Sequence, residues 1–552
     1  MKSNQKTSSV RRVTTFQFFL CCVSLVFASL AGQPAPRFQP LDWVVFRRVG
    51  ALYSFSEGFE YLYMATQMGG VYRWHILRKE MADPITVAQG LESNRCEAVL
   101  FDRDTRTLWV ATQSGLNFSY NPPGEWHFRP KEELGLLEGN HVDRIGASRN
   151  YLWMFVGTHV AKLDRSTGAL VGELAQPDEP LLQISSGHRD WTDVPSTLAA
   201  FSITDGWLFN GNDVVDDYGR LESITTFYTS RYQDVFLGTD HGTLLVGDAV
   251  LQQFQPHRVG LLNRSVGDIE FDDQALYLAG DNRNDPPGIT VFADRRNQFR
   301  YWESDLVSNA PHTAIHALSW NGSQLWTGGE EIAVYDAKHS FWKNLGQPVQ
   351  GSRVLTLSNG ALYEWAGTDQ NLVQIDTSRY RITSSSYLPL NLNDPVTDVL
   401  QFDQQIWVTF LDGFLSINEA TGEYIDRRFH RQLDLAPGII RYDALAKDAT
   451  SLLVATSVGV FRTSPPGRRW KRILQPSEYG ARMIRTMDWN GSWGVLNLGT
   501  TFLLFSGSGN VTHEYQFPFL GKIHCIYFDG DVIWLGTNQG LIRFKWVNEQ
   551  FQ

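Results

Sequence analysis

Charged and polar residues that could act together on a ligand recur along this 552-residue chain, one or two to a repeat: Arg95, Asp143, Arg144, Asp268, His316, Arg353, Asp398, Arg441, Asp443, Arg485 and His524. Each stands near the start of a short β-branched or aromatic run, the pattern of a strand. Guanidinium, imidazole and carboxylate groups brought together from several strands could hold a polar ligand. The same residues could equally form a solvated, mutually neutralising lining. Catalysis asks for more: a nucleophile with its base, a carboxylate pair, or a metal cluster of defined geometry. None is visible. His316 and His524 lie 208 residues apart in sequence, and no short-spaced His/Cys/Asp ligand set occurs. Asp529-Gly530-Asp531 and Asp102-Arg103-Asp104 read as ordinary turns rather than calcium loops. Ser202-Ile203-Thr204-Asp205-Gly206-Trp207 imitates an aspartate-box turn poorly, and such a turn is not catalytic. We therefore expect no catalytic residues, no metal and no cofactor.

Stepping outward, the elements that must position these residues share one motif. Val532-Ile533-Trp534-Leu535-Gly536-Thr537-Asn538-Gln539-Gly540-Leu541-Ile542-Arg543-Phe544 shows it best: a short apolar run, Gly-Thr, a Gly turn, then a second apolar run. This reads as two antiparallel strands joined tightly. Twelve variants can be anchored from Leu62 to Ile533, Leu198 and Leu362 among them, at intervals near 40 to 45 residues. That period with strand patterning predicts four-stranded blades of an all-β, β-propeller fold. Twelve blades exceed the usual four to eight of one ring, so two propellers are expected. The outer-strand tryptophans Trp126, Trp302, Trp342 and Trp470 read as wedges between blades. The last repeat lacks a fourth strand, while Trp43-Val44-Val45-Phe46-Arg47 is a strand without a blade. The N-terminal strand is therefore expected to close the last blade, so that one ring is built from both chain ends.

A basic stretch (Lys2, Lys6, Arg11, Arg12) and an apolar run from Phe16 to Leu30, with Ser29 and Ala31 at cleavage-type spacing, read as a signal peptide over residues 1–31. The alternative is an uncleaved anchor helix, which would be the chain's membrane contact. A short Pro-containing linker (32–40) and the propeller region (41–552) complete the predicted organisation. Removing four basic and no acidic side chains takes the net charge from −11 to −15, a surface that repels nucleic acid. Only Cys96 and Cys525 remain beyond the signal, too few for a disulfide-stapled fold.

The stretch from Ser93 to Asp102, followed by Leu108-Trp109-Val110-Ala111-Thr112-Gln113-Ser114-Gly115-Leu116, resembles the two-component-regulator propeller repeat. In that family tandem periplasmic propellers sense ligands, often glycan fragments, ahead of a membrane helix and a kinase. The resemblance implies a fold and a periplasmic or extracellular location. No kinase segment follows the repeats here, so a stand-alone role is expected: binding a protein partner or a glycan at a channel rim. The candidate rim residues are Arg95, Arg144, Asp268, His316, Arg353, Asp398, Arg441, Arg485 and His524. The alternatives are a propeller enzyme (polysaccharide lyase or hydrolase, or quinoprotein-like oxidoreductase) and an extracytoplasmic sensor subunit of a two-component system.

Overall fold

The computed structural model describes residues 42–120, 124–187, 198–280, 287–293, 297–347, 353–384, 395–429, 433, 440–463 and 469–546. The signal-peptide and linker segments lie outside them. Among the described residues no helix is long and apolar enough to cross a membrane.

The chain is an all-β, β-propeller protein. Eleven blades have the four-stranded antiparallel order: eight are separate sheets, one carries a fifth strand, and two are joined through their outer strands in one larger sheet. We number them I to XI along the chain: I (52–85), II (96–130), III (144–174), IV (221–258), V (268–303), VI (315–346), VII (354–384), VIII (396–426), IX (442–474), X (486–515) and XI (523–545 with the strand Trp43–Phe46). In every blade but VII the second strand carries the apolar anchor of the repeat. In six blades it also carries a fully buried tryptophan: Trp109, Trp153, Trp326, Trp365, Trp407 and Trp534. Bulky indoles at a fixed register fill the wedge that opens between twisted neighbouring sheets.

Contacts between innermost strands order the blades into two rings and close the larger one. Blades V to XI follow one another and blade XI returns to V, which makes a seven-bladed ring. Blades I to III run on in the same way and IV packs on I, so the second ring groups the other four blades; blade III reaches blade IV through the segment that follows its added edge strand. In this smaller ring the short strand Gln183–Ile184 adds to the inner edge of blade III. The adjoining Ser186 then crosses to the other blades. Its Oγ accepts from Phe55 N at 2.7 Å in blade I and lies 2.6 Å from Thr226 Oγ1 in blade IV. Gln183 accepts from Arg103 N of blade II at 3.1 Å. The segment thus touches all four blades.

The expected closure of the last blade is found: Trp43 pairs with Phe544, Val44 with Arg543, Val45 with Ile542 and Phe46 with Leu541. The seven-bladed ring is therefore assembled from both ends of the chain, and the four-bladed ring is inserted after its first strand. The expected wedges are found too. Trp302 of blade V packs on Tyr335 and Trp342 of blade VI, with centroids 4.5 and 5.7 Å away. Trp470 of blade IX packs on Trp407 and Phe414 of blade VIII.

Two anchors are corrected. Leu198 begins one turn of 3-10 helix, not a blade. Its neighbourhood adds short strands to blade IV: Ser202–Ile203 runs parallel to the outer strand Gln253–Arg258, and a hairpin of Leu208–Asn210 and Asp213–Val215 extends the inner edge. Leu198, Trp207 and Val214 all enter that blade's core. Leu362 is 55% exposed. The anchor position of blade VII, defined by the neighbouring Trp365, belongs instead to Glu364, which is fully buried where other blades place Leu or Ile.

A repeated device locks the inner strands. An innermost strand shows an unpaired edge to the channel, and buried amides there need acceptors. Side chains of the preceding blade supply them. Asp268 Oδ2 accepts from Leu318 N at 2.7 Å, Asp398 Oδ2 from Leu445 N at 2.8 Å and Asp488 Oδ2 from Phe528 N at 2.8 Å. In the small ring Ser56 Oγ accepts from Phe101 N at 2.9 Å.

Candidate functional site

The two rings meet along a seam made by outer strands. Gln253–Arg258 of blade IV touches Gln298–Glu303 of blade V at a single bridge, Arg258 with Phe299. Polar side chains carry the rest of the junction. Arg543 of blade XI pairs with Asp83 of blade I at 2.7 Å, and Asn297 Nδ2 donates to Met81 O at 3.2 Å. The hairpin turn before blade IV contributes Arg220, which reaches Glu303 of blade V at 2.6 Å.

Beneath this crossing lies a charged network. Arg258 pairs with Glu222 and, at 3.2 Å, with Asp216; Arg220 pairs with Asp216 at 3.1 Å. Both carboxylates are wholly buried. The Arg258 guanidinium also lies over the Trp207 ring at 5.0 Å and the Tyr301 ring at 5.6 Å. Buried charge in this quantity is tolerated only when every group is paired. Here each one is.

Above the network a cleft of about 440 Å³ opens between the rings. Aromatic groups from both rings form its walls: Trp74 of blade I, Trp207 and Tyr218 of the stretch before blade IV, His257 of blade IV, and Tyr301 and Trp302 of blade V. His257 lies 4.6 Å from Trp74, and burial pushes its pKa down to about 4, so the imidazole is neutral around pH 7. Glu80, Asp205, Asp217, Asn297 and Arg300 rim the opening. Rings with apolar faces, edged by donors and acceptors, suit a ligand that is itself half apolar and half hydroxylated.

The nine sequence-predicted rim residues do not form one rim. Arg95 and Arg144 belong to the four-bladed ring, one in the loop before blade II and one on the first strand of blade III. Arg95 Nη1 donates to Gln113 Oε1 at 3.1 Å, and Arg144 lies over the Phe155 ring at 5.5 Å. The other seven fall one to each blade of the seven-bladed ring, within three residues of the start of the innermost strand. Two of these, Asp268 and Asp398, are the caps described above. Enclosure raises their pKa values to about 7 and about 6, and Asp398 adds repulsion at Asp268. Arg441 is paired with Asp443 of its own blade. His316 and His524 each sit where the inner strand bulges, the residue skipped by the pairing of Ile315 and Ala317 and of Ile523 and Cys525. Such bulges re-aim a side chain. Among the described residues no group of three or more His, Cys, Asp or Glu could hold a metal ion.

The cleft residues were not singled out as a site from the sequence. Trp302 was read as a wedge, a role it also fills, and Asp205 and Trp207 appeared only within the imitation aspartate box. Nothing local marks them, because the cleft exists only where two rings meet.

No family model matches the chain, and no curated protein matches it in sequence. Solved structures similar in fold include the extracellular domain of the putative one component system BT4673 from B. thetaiotaomicron, at 15% identity and a TM-score of 0.41, covering 89% of this chain and 69% of that one. The extracellular domain of the putative hybrid two component system BT3049 from the same organism is 16% identical with a TM-score of 0.41, covering 88% and 73%. Virginiamycin B lyase from Staphylococcus aureus is 15% identical with a TM-score of 0.42, covering 51% of this chain and 94% of that one.

Proposed function

We propose that this is an exported, non-enzymatic propeller protein that binds a glycan in the cleft between its rings. The cleft carries the reading: indole and phenol rings contributed by both propellers face one cavity whose edge bears carboxylate, amide and guanidinium groups. Sugar rings present apolar C–H faces that stack on aromatic planes, while their hydroxyls need donors and acceptors at the margin. The basic and then apolar N-terminal stretch supports export. This moves the binding role from a channel rim, where the sequence suggested it, to the seam.

The test is calorimetric titration of the protein with neutral tetrasaccharides of glucose, xylose and galactose, beside Tyr218→Ala and Trp302→Ala variants. Tyr218 is 49% exposed, so its removal leaves the fold intact. Binding of at least one sugar, weakened in Tyr218→Ala, is the expected result. Binding that ignores both substitutions would remove the cleft from consideration.

A further inference from the structure

A second and larger cavity, about 780 Å³, lies on another side of the seam. The repeat's own corner turns build much of it: Gln113 of blade II, and Asn538 and Gln539 of blade XI. Into this frame come four guanidinium-bearing residues from three places in the chain, Arg47 and Arg48 after the first strand, Arg95 before blade II, and Arg264 before blade V. Against them the lining holds one acid, Glu92.

That balance is unusual for a chain whose net charge is −11. Two of the four cations, Arg47 and Arg95, are held by neutral amides. Arg47 Nη1 donates to Gln539 Oε1 at 3.0 Å, and Arg95 Nη1 to Gln113 Oε1 at 3.1 Å. Among the described residues neither Arg47 nor Arg95 has a carboxylate partner. Elsewhere on the same seam Arg220, Arg258 and Arg543 all have one. Arg47 is half-buried, and its desolvation lowers its pKa. Withdrawing a guanidinium from water without a counter-charge costs free energy that a bound anion would return. Each amide also fixes its arginine with one Nη engaged, leaving the remaining N–H donors of the fork to a ligand.

We propose that this cavity binds a small organic polyanion, a ligand carrying two or more carboxylate, phosphate or sulfate groups. Its volume is in the range of ligand pockets. Several anionic groups match several guanidinium groups, which come from three separate places in the chain. The site is separate from the aromatic cleft and does not depend on what that cleft binds.

The experiment is calorimetry on the whole protein with citrate, fructose 1,6-bisphosphate and a heparin-derived disaccharide, each at low and high sodium chloride, with acetate as the single-charge control. The double variant Arg95→Gln/Arg264→Gln alters two exposed residues and keeps their hydrogen-bonding capacity. At least one polyanion should bind more tightly than acetate, and the double variant should weaken it by about tenfold or more. Raised salt should weaken it as well. Which of the three binds tells carboxylate from phosphate or sulfate recognition. The proposal is overturned if no polyanion outbinds acetate, or if the double variant binds like the parent. Tyr218→Ala, in the other cleft, should leave polyanion affinity unchanged; a shared loss would show one site where two are proposed.

Discussion

Trp43 lies flat on Phe544, with ring centroids 4.0 Å apart and planes 11° from parallel. The two residues are cross-strand partners from opposite ends of the chain. Phe502, Tyr515, Phe517 and Phe519 crowd the same indole at 5.4 to 6.1 Å. The backbone is tied as well, since the Trp43 carbonyl accepts from Gln89 Nε2 of the small ring. One residue of the first strand thus joins ring closure to the junction between rings.

Trp43→Ala should therefore cost about 3 to 5 kcal/mol, the range for emptying a large aromatic site in a core. Urea titration followed by tryptophan fluorescence and by circular dichroism would measure it. Trp43→Phe should cost clearly less, because a phenyl ring can keep the stack on Phe544. An unchanged midpoint for Trp43→Ala would mean that the first strand does not hold the seven-bladed ring shut.

The charged network at the seam makes a different prediction. Arg258→Met leaves Glu222 and Asp216 buried with only Arg220 to answer both, and removing one member of a buried set typically costs about 3 to 5 kcal/mol. Adding Glu222→Gln to Arg258→Met should recover part of that loss, because the orphaned charge is then gone. Two losses that simply add would show that Arg258 and Glu222 are energetically independent, contrary to their contact.

How much of this was legible beforehand depends on whether a feature is local. The corner from Ile533 to Gly540 is local: strand, turn and strand lie within a few residues, so the fold and the closing strand could be read directly. Blade count failed where composition imitated the motif. Leu198 sits in an apolar run that feeds the core of blade IV, and Leu362 stood in for a blade anchor because the true position holds a glutamate. The inner-strand acids misled for another reason. An aspartate at the start of a strand has the same letter whether it awaits a ligand or caps the next blade, and only the 2.7 Å contact of Asp268 with Leu318 separates the two. The clefts were hidden because Trp74, His257 and Trp302 come together only through the packing of outer strands from two rings.

The capping role of the inner-strand acids can be tested at Asp488. Asp488→Ala leaves the partly buried Phe528 N–H without its acceptor, at about 1 kcal/mol, and should speed hydrogen exchange at that amide. Asp488→Asn keeps an oxygen in place and should behave much more like the parent. By the same argument Asp268→Asn and Asp398→Asn should leave ligand affinity at the seam unchanged. A loss of binding in either would return the channel mouth to the list of sites.

The last prediction concerns pH and Glu364. This carboxyl is fully enclosed, and among the described residues the Ser319 hydroxyl is the one polar group that answers it. Burial, opposed by the Ser319 hydroxyl and helped by smaller repulsion from Glu270 and Glu419, raises its pKa from 4.5 to about 8. The sign follows from proton uptake. Below about pH 4.5 the folded and unfolded chains both hold the proton, and the group contributes nothing that varies with pH. Between about 4.5 and 8 the unfolded chain releases the proton while the folded chain keeps it, so stability falls as pH rises; above 8 the fall levels off. Asp268, Asp398 and Glu270, raised to about 7, 6 and 7, push in the same direction. The parent should therefore melt lower at pH 8 than at pH 5.5. Glu364→Leu, which restores the residue type found at this position in other blades, should raise the melting temperature at pH 8 and reduce its dependence on pH. Glu364→Gln controls for charge alone and should flatten the pH dependence while packing less well than leucine. If Glu364→Leu instead melts lower than the parent at pH 8, the carboxylate has a partner that stabilises it, and the burial argument fails at this site.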